Sequence, residues 1–131
     1  MDKALRDIVI PLYGWSRDEE LRKLVPTLHR AIEVVRELSK SPRWRERVVA
    51  AKLIRAYQLA GEVDDLVRTF AACPESHTVQ AFSEMLAEVR VPNAEELLNE
   101  MREACRKWEH GQDLVKIINW CASVEVDKSI D

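Results

Sequence analysis

The stretch SPRWRERVVAAKLIRAYQLAGE, which runs from Ser41 to Glu62, contains five arginine or lysine residues, one tryptophan and a run of aliphatic residues. On a helix, which turns by about 100° per residue, its apolar side chains share one broad arc, and Arg45, Lys52 and Arg55 gather on the other side. The arc contains Val49, Ala50, Leu53, Ile54, Ala56, Tyr57 and Ala60. The dipeptide Ser41–Pro42 predicts the cap and the first residue of this helix. The stretch therefore predicts a helix with one face in a core.

Apolar residues recur at spacings of three and four along most of the chain, and turn residues separate the periodic segments. This pattern predicts amphipathic helices, and no segment alternates apolar and polar residues for long enough to predict a strand. Ser16 with Glu19, and Asn93 with Glu96, have the spacing of capping boxes. The predicted helices cover residues 2 to about 13, 16–40 with an allowed break at Pro26, 42–61, 63–73, 76–91, 93–111 and 113 to about 124.

These segments predict an all-α fold of six or seven antiparallel helices in a short solenoid-like or bundle arrangement, because the connections between them are short. Gly61 and Gly111 are expected to end the helices that precede them. A chain of 131 residues is long enough for one self-sufficient core. We expect a single all-helical domain over residues 1–125 and a frayed tail over residues 126–131.

Composition restricts the class of protein. Hydrophobic residues make up 47% and charged residues 33% of the chain, which is too apolar for a disordered segment. No apolar run approaches the length of a membrane span, and the first residues lack the pattern of a signal peptide. The three cysteines, Cys73, Cys105 and Cys121, are too few and too irregularly spaced for a disulfide framework. We expect a cytoplasmic protein with reduced cysteines and no association with a membrane.

The starts of the predicted helices repeat, since 35 residues separate Ser41 from Ser76 and 32 separate Gly61 from Asn93. Such a period is typical of stacked αα units. In KLIRAYQLAGEVDDLVRTF, four residues resemble a tetratricopeptide-type unit by their spacing: Leu53, Tyr57, Gly61 and Phe70. The long preceding helix, the Ser-Pro break and RERVVAAKLI resemble a HEAT-type unit instead, so the two are alternatives over residues 24–73. Either resemblance implies a groove or face for a protein partner.

Charge is distributed unevenly along the chain. Residues 1–35 are neutral overall, residues 36–55 carry a net charge of plus five, and residues 56–131 carry minus eight. The basic segment, with an aromatic residue among its arginines, predicts a partner-binding patch. The patch consists of Arg43, Trp44, Arg45, Arg47, Val48, Lys52 and Arg55. We expect a protein partner. The alternative is RNA or DNA bound through the basic segment Arg36–Arg55, with an affinity that falls with salt at a log-log slope of about −4 to −5.

Part of this patch has two alternative environments. Trp44, Val48 and Ala51 form a second, narrower stripe between the arginines of the predicted helix. The stripe either packs under a neighbouring helix or faces solvent, where an aromatic residue surrounded by arginines would anchor a partner. Its burial decides between these two interpretations.

Other residues with functional side chains predict no reaction centre. Cys73 with His77, and Cys105 with His110, are zinc-type ligands, but their spacings are unusual and each pair straddles a helix end. The carboxylate pairs Asp64–Asp65 and Glu95–Glu96 lie in first turns, where the helix dipole stabilises negative charge. No catalytic or nucleotide-binding motif occurs. We expect no enzyme activity, no cofactor and no metal. A homodimer is an open alternative, because short repeat arrays expose apolar ends.

Overall fold

The computed structural model describes residues 3–14, 16–71, 75–108 and 111–130, with the backbone alone for residues 71 and 122–130. These residues form eight α-helices, one 3-10 helix and no strand. The helices are α1 (Lys3–Leu12), α2 (Asp18–Leu24), α3 (Leu28–Ser39), α4 (Trp44–Tyr57), α5 (Ala60–Arg68), the 3-10 helix (Thr69–Ala71), α6 (Ser76–Glu88), α7 (Ala94–Arg106) and α8 (Gly111–Ile130). The predicted all-α class is confirmed, but the predicted number of helices, six or seven, is too low.

The additional helix arises from a break in the long helix predicted for residues 16–40. Val25 has φ −130° and ψ 80°, a conformation outside the helical region, as expected for a residue that precedes a proline. After Pro26, the Thr27 hydroxyl accepts a 3.1 Å hydrogen bond from the amide of Arg30 and so caps α3. The break at Pro26, which the sequence only allows, therefore separates α2 from α3.

The predicted capping box of Ser16 and Glu19 is wrong. The N-cap of α2 is Arg17, which makes no capping bond with its side chain. The Ser16 hydroxyl donates instead to the carbonyl of Leu12, at 3.3 Å. This residue therefore contributes to the end of α1 rather than to the start of α2.

The helix that contains the quoted stretch ends earlier than predicted. α4 stops at Tyr57, and Gln58 takes the left-handed conformation with φ 53°. The amide of Leu59 then bonds to the carbonyl of Ile54 at 2.9 Å, which is the six-to-one bond of a Schellman motif. Gly61, the predicted stop, lies instead in the first turn of α5.

The junction between α7 and α8 also differs from the prediction. Gly111 is the first residue of α8 and does not close α7. A Cβ atom at this position would lie 1.5 Å from the carbonyl oxygen of Cys105, so the close approach of the two helices requires glycine. α8 is longer than predicted, because it extends to Ile130 through most of the segment for which a frayed tail is predicted.

The helices are arranged in two rows. α4, α6 and α8 contact one another in order along one row, and α3, α5 and α7 do so along the other. α3 packs on α4, α7 packs on α8, and α1 and α2 both pack on α4. The buried core contains Leu53 and Ile54 of α4 and the rings of Phe70 and Phe82, which meet edge to face at 6.2 Å. In the described residues, no helix combines the length and the apolar character needed to cross a membrane.

Candidate functional site

The structure does not place the seven predicted partner-binding residues on one surface. Arg43 and Arg45 are exposed, while Trp44, Lys52 and Arg55 are half-buried. Arg47 is 1% exposed and Val48 is 5% exposed, and the Arg47 guanidinium donates a hydrogen bond to the carbonyl of Thr69, at 3.4 Å. Arg47 and Val48 therefore lie in the interior and offer a partner almost no surface.

Lys52 stabilises the end of another helix. Its Nζ donates to the carbonyl of Leu12 at 2.9 Å, to the Ser16 hydroxyl at 3.1 Å, and to the carbonyl of Gly14. These acceptors lie at the end of α1 and just after it, where the last carbonyls of the helix have no partner within the helix. Burial, and after it the positive charge of Arg55, lowers the pKa of Lys52 from its ordinary value. The three hydrogen bonds assign Lys52 a structural role.

Two further cations of the basic segment form ion pairs within the molecule. Arg55 lies 3.5 Å from a carboxylate oxygen of Glu84 and 3.4 Å from one of Glu88, and so connects α4 with α6. Arg36 lies 2.9 Å from a carboxylate oxygen of Glu62 and connects α3 with α5. These contacts reduce the number of cations that the basic segment can offer to a phosphate backbone.

Trp44 is the centre of an aromatic cluster. Its ring stacks on that of His77, with centroids 4.1 Å apart and planes 16° apart, and meets the ring of Tyr13 edge to face at 5.8 Å. The Arg45 guanidinium lies 4.9 Å from the Trp44 ring centroid and 5.0 Å from that of Tyr13, within the range of a cation–π interaction. Ala51 is buried below the cluster. Val48 and Ala51 therefore pack under neighbouring helices, whereas Trp44 lies at the boundary with solvent.

Glu75 holds His77 in this position. The Glu75 carboxylate accepts hydrogen bonds from the amides of His77 and Thr78, at 2.9 and 3.1 Å, and thereby caps α6. It also lies 2.7 Å from Nδ1 of the His77 ring. Burial alone would raise the pKa of Glu75, but these hydrogen bonds and one from Ser76 outweigh it and lower the pKa. The cap thus fixes the ring against which Trp44 stacks.

Two adjoining cavities open on the row of α4, α6 and α8. The first, of about 470 Å³, lies between α4 and α6. It is lined by Tyr13, Gly14, Ser16, Trp44, Val48, Ala51, Lys52, Arg55, His77, Gln80, Ala81 and Glu84. The second, of about 290 Å³, lies between α6 and α8 and is lined by Gln80, Lys116, Ile117 and Trp120. Because Gln80 borders both, we treat them as one surface, the α4/α6/α8 face.

Trp120 is the most exposed aromatic residue of this face, and the sequence does not indicate it as a binding residue. The predicted last helix is apolar almost all round, a pattern that favours packing on several sides, yet 64% of Trp120 is exposed. The main contacts of α8 are with α6 and α7 only, which leaves part of its surface open. The last helix carries apolar residues on all sides but has neighbours on only some of them. This excess of apolar residues is the sequence feature that could have indicated the surface.

Of the two Cys/His pairs with zinc-type side chains, Cys73 and His110 lie outside the described residues. Burial raises the pKa of the Cys105 thiol to about 11, which opposes formation of the thiolate that zinc requires. His77 is held between Trp44 and Glu75. Among the residues that the structure describes, no three His, Cys, Asp or Glu side chains are grouped to hold a metal ion.

One carboxylate of each predicted pair forms an ion pair. Asp64 lies 2.5 Å from the guanidinium of Arg68 and accepts a 2.8 Å hydrogen bond from the side-chain amide of Asn93. Glu95 lies 3.9 Å from the guanidinium of Arg102. The Asp64 contacts connect α5 with the start of α7, which is a structural arrangement.

Comparison of the chain with protein-family models, with curated proteins and with solved structures finds no match in any of the three.

Proposed function

We propose that this chain is a non-catalytic protein-interaction domain that binds an extended segment of a partner protein across the α4/α6/α8 face. The observation that carries the proposal is the pair of adjoining cavities that share Gln80, one lined by Trp44 and the other by Trp120. Partly exposed tryptophans supply large apolar contact areas, and they are enriched among residues that dominate binding energy.

The dimensions of the face favour a short extended segment. Neighbouring packed helices lie about 8–10 Å apart, so a path from α4 across α6 to α8 is roughly 16–20 Å long. An extended chain covers at most about 3.3–3.6 Å per residue, so roughly five or six residues span that path. We expect one apolar side chain of the partner at each end of the segment, one against Trp44 and one against Trp120.

The charges of the face favour an acidic segment. Lys52, Arg55 and Lys116 line the two cavities, against the single carboxylate of Glu84 among the lining residues. Lys52 and Arg55 keep their contacts within the molecule, so they act on a partner through the net positive charge of the cavities and not as free ion-pair partners. Such an excess of one sign selects a partner of the opposite sign and increases its rate of association. We therefore infer that acidic residues lie between the two apolar anchors of the partner.

The arrangement of the helices as a short antiparallel solenoid belongs to the same proposal. It is supported by the order in which the helices contact one another, α4 to α6 to α8 in one row and α3 to α5 to α7 in the other. The contacts of α3 with α4 and of α7 with α8 connect the two rows. The tetratricopeptide-like and HEAT-like resemblances remain alternatives within it. The cytoplasmic location also remains a prediction, which rests on the sequence alone.

A peptide selection tests the proposed function. We expect a displayed random library to yield acidic peptides with two apolar residues about five positions apart. Trp120→Ala should weaken their binding by about thirtyfold, the equivalent of a hot-spot loss of about 2 kcal/mol. Trp108→Ala, which removes another exposed tryptophan from α7–α8, is the matched control and should leave Kd unchanged. Equal Kd values for the wild type and Trp120→Ala would overturn the proposal.

RNA or DNA binding through Arg36–Arg55 is the alternative that the sequence raises. Because Arg36, Lys52 and Arg55 make contacts within the molecule, we do not favour it. A mobility shift with single-stranded RNA or duplex DNA at low salt, abolished by Arg43→Glu/Arg45→Glu, would support that alternative instead.

A further inference from the structure

A second groove lies on the opposite row of helices. It has a volume of about 880 Å³ and runs between α5, the 3-10 helix and α7. Ala104 and Trp108 contribute apolar surface over the buried ring of Phe70, and 45% of Trp108 is exposed. Glu96, Glu100 and Glu103 follow one side of the groove along α7. We call this surface the acidic groove.

The cations near the acidic groove do not neutralise all of it. Arg68 lies 3.8 Å from a carboxylate oxygen of Glu100, and Glu103 pairs with Arg106. Lys107 also lines the groove, so the lining holds three carboxylates against two cations. Glu96, by contrast, is exposed and is paired with no cation of the described residues. The groove therefore combines an open apolar floor with at least one carboxylate that can accept a cation from another molecule.

An exposed apolar residue flanked by cations lies on α1 and beside the start of α4. Ile10 is 60% exposed, and Arg6 precedes it by one helical turn on the same side. Arg43, at the start of α4, borders the same depression of about 390 Å³. Neither Arg6 nor Arg43 is paired with a carboxylate of the described residues. We call Arg6, Ile10 and Arg43 the α1 ridge.

The two surfaces also agree in length. α1 has 10 residues, which correspond to about 15 Å of helix. The groove extends along α7 from Glu96 to Trp108, about 18 Å at the same rise per residue. The ridge has one apolar side chain between cations, and the groove has apolar residues beside carboxylates. The two surfaces are therefore complementary in charge.

One chain cannot bring its own two surfaces together in this fold. α1 packs on α2 and α4, and Lys52 ties its end to α4, whereas the acidic groove is built by α5 and α7. We propose that the α1 ridge of one chain docks in the acidic groove of a second copy. The contact is head-to-tail, because it joins two different patches and leaves one of each available for a further copy.

The expected association is weak. One short helix and the residues beside it bury less than the roughly 1,200 Å² that separates transient from stable interfaces. We therefore expect the average mass, measured by sedimentation equilibrium, to rise between about 10 µM and about 1 mM protein, and the rise to diminish as salt screens the charges. A constant monomer mass over that range at low salt would overturn the inference.

Two variants test the head-to-tail geometry. Arg6→Gln/Ile10→Gln removes the ridge, and Glu96→Gln/Trp108→Gln removes the groove; all four side chains are exposed, so the fold should persist, as circular dichroism can verify. Each variant alone should remain monomeric. An equimolar mixture should form one-to-one pairs and stop there, because each variant retains the surface that the other has lost.

The other possible outcomes also test the head-to-tail contact. Self-association of either single variant, or failure of the mixture to pair, would exclude the head-to-tail contact. Trp120→Gln is the matched control on the α4/α6/α8 face and should associate like the wild type. If Trp120→Gln instead abolishes association, the copies meet through the face assigned to the partner protein. Because peptide binding depends on Trp120 and self-association on Trp108, the inference and the proposed function fail separately.

Discussion

At the scale of single residues, Lys52 provides a testable case of a charge with a structural role. Replacing it with methionine keeps the apolar stem and removes three hydrogen bonds to Leu12, Gly14 and Ser16. Because two of those acceptors are backbone carbonyls near the end of α1, we expect Lys52→Met to reduce the free energy of unfolding by about 1–3 kcal/mol. Urea denaturation measures this change.

Lys40→Met is the control for that substitution, since Lys40 is exposed at the end of α3. It should change the free energy of unfolding by less than about 0.5 kcal/mol. A loss of equal size in both variants would mean that the change reflects charge or apolar exposure in general and not the hydrogen bonds of Lys52.

Arg47 and Lys52 show why the sequence alone predicts the partner-binding patch only in part. Projection on a helix separates apolar from charged positions, and it placed Leu53 and Ile54 correctly in the core. It also places Lys52 on the charged side, and the predicted patch includes Arg47. Their acceptors, however, lie 22 and 40 residues away along the chain, at Thr69 and Leu12. No local pattern specifies such partners, so the internal roles of both cations became visible only in the fold.

At the scale of helices, the two glycines expected to end helices yield opposite predictions. Gly61 lies in the first turn of α5, where no atom lies within 4 Å of an added Cβ and φ is not positive. Gly61→Ala should therefore increase the free energy of unfolding by about 0.5–1 kcal/mol. If Gly61 were the left-handed cap that the sequence indicates, the same substitution would decrease it.

Gly111→Ala makes the identical chemical change at the junction of α7 and α8. There the new Cβ would overlap the carbonyl of Cys105, so one backbone segment must move. We expect a loss of more than about 2 kcal/mol. Thermal unfolding of the two variants under the same conditions provides the comparison, and a similar effect of both substitutions would contradict the positions of the two helix starts.

Helix existence was easier to predict than helix ends. Spacings of three and four residues predict helix in the region of each α-helix of the described residues, although they join α2 and α3 into one, because amphipathic burial is a local property of the sequence. Several neighbouring residues could end each helix, and the packing of the helix against the rest of the fold determines which one does. Gln58 takes the left-handed conformation although Gly61 is three residues away, and the side chain of Gln58 donates a 2.8 Å hydrogen bond to the carbonyl of Arg55.

At the scale of the whole molecule, the helices form two rows, and some helices pack against many more neighbours than others do. The sequence predicted the helical class and a period typical of αα units. Of the α4/α6/α8 face it indicates only the α4 residues Trp44, Val48, Lys52 and Arg55, and it does not indicate the acidic groove, because each surface is formed by helices separated by another helix in the chain. A surface between non-consecutive helices depends on which helices become neighbours in the fold. Local sequence patterns do not show this.

This difference in packing predicts an order of local stability. Nine of the 14 residues of α4 are buried, and α4 contacts α1, α2, α3, α5 and α6. α1 packs mainly on α2 and α4 and exposes Ile10. Amides in α4 should therefore exchange with solvent only through global unfolding, whereas amides in α1 should exchange through a local opening of lower free energy.

Native-state hydrogen exchange with increasing denaturant measures this order. The opening free energy of α4 should equal the global value from denaturation, and that of α1 should lie below it with a smaller dependence on denaturant, because less surface is exposed. Lys52→Met should lower the opening free energy of α1 more than that of α3, since the lost hydrogen bonds hold α1 on α4. Equal protection of α1 and α4 would mean that α1 belongs to the same cooperative unit, and the α1 ridge would then be as rigid as the core on which it lies.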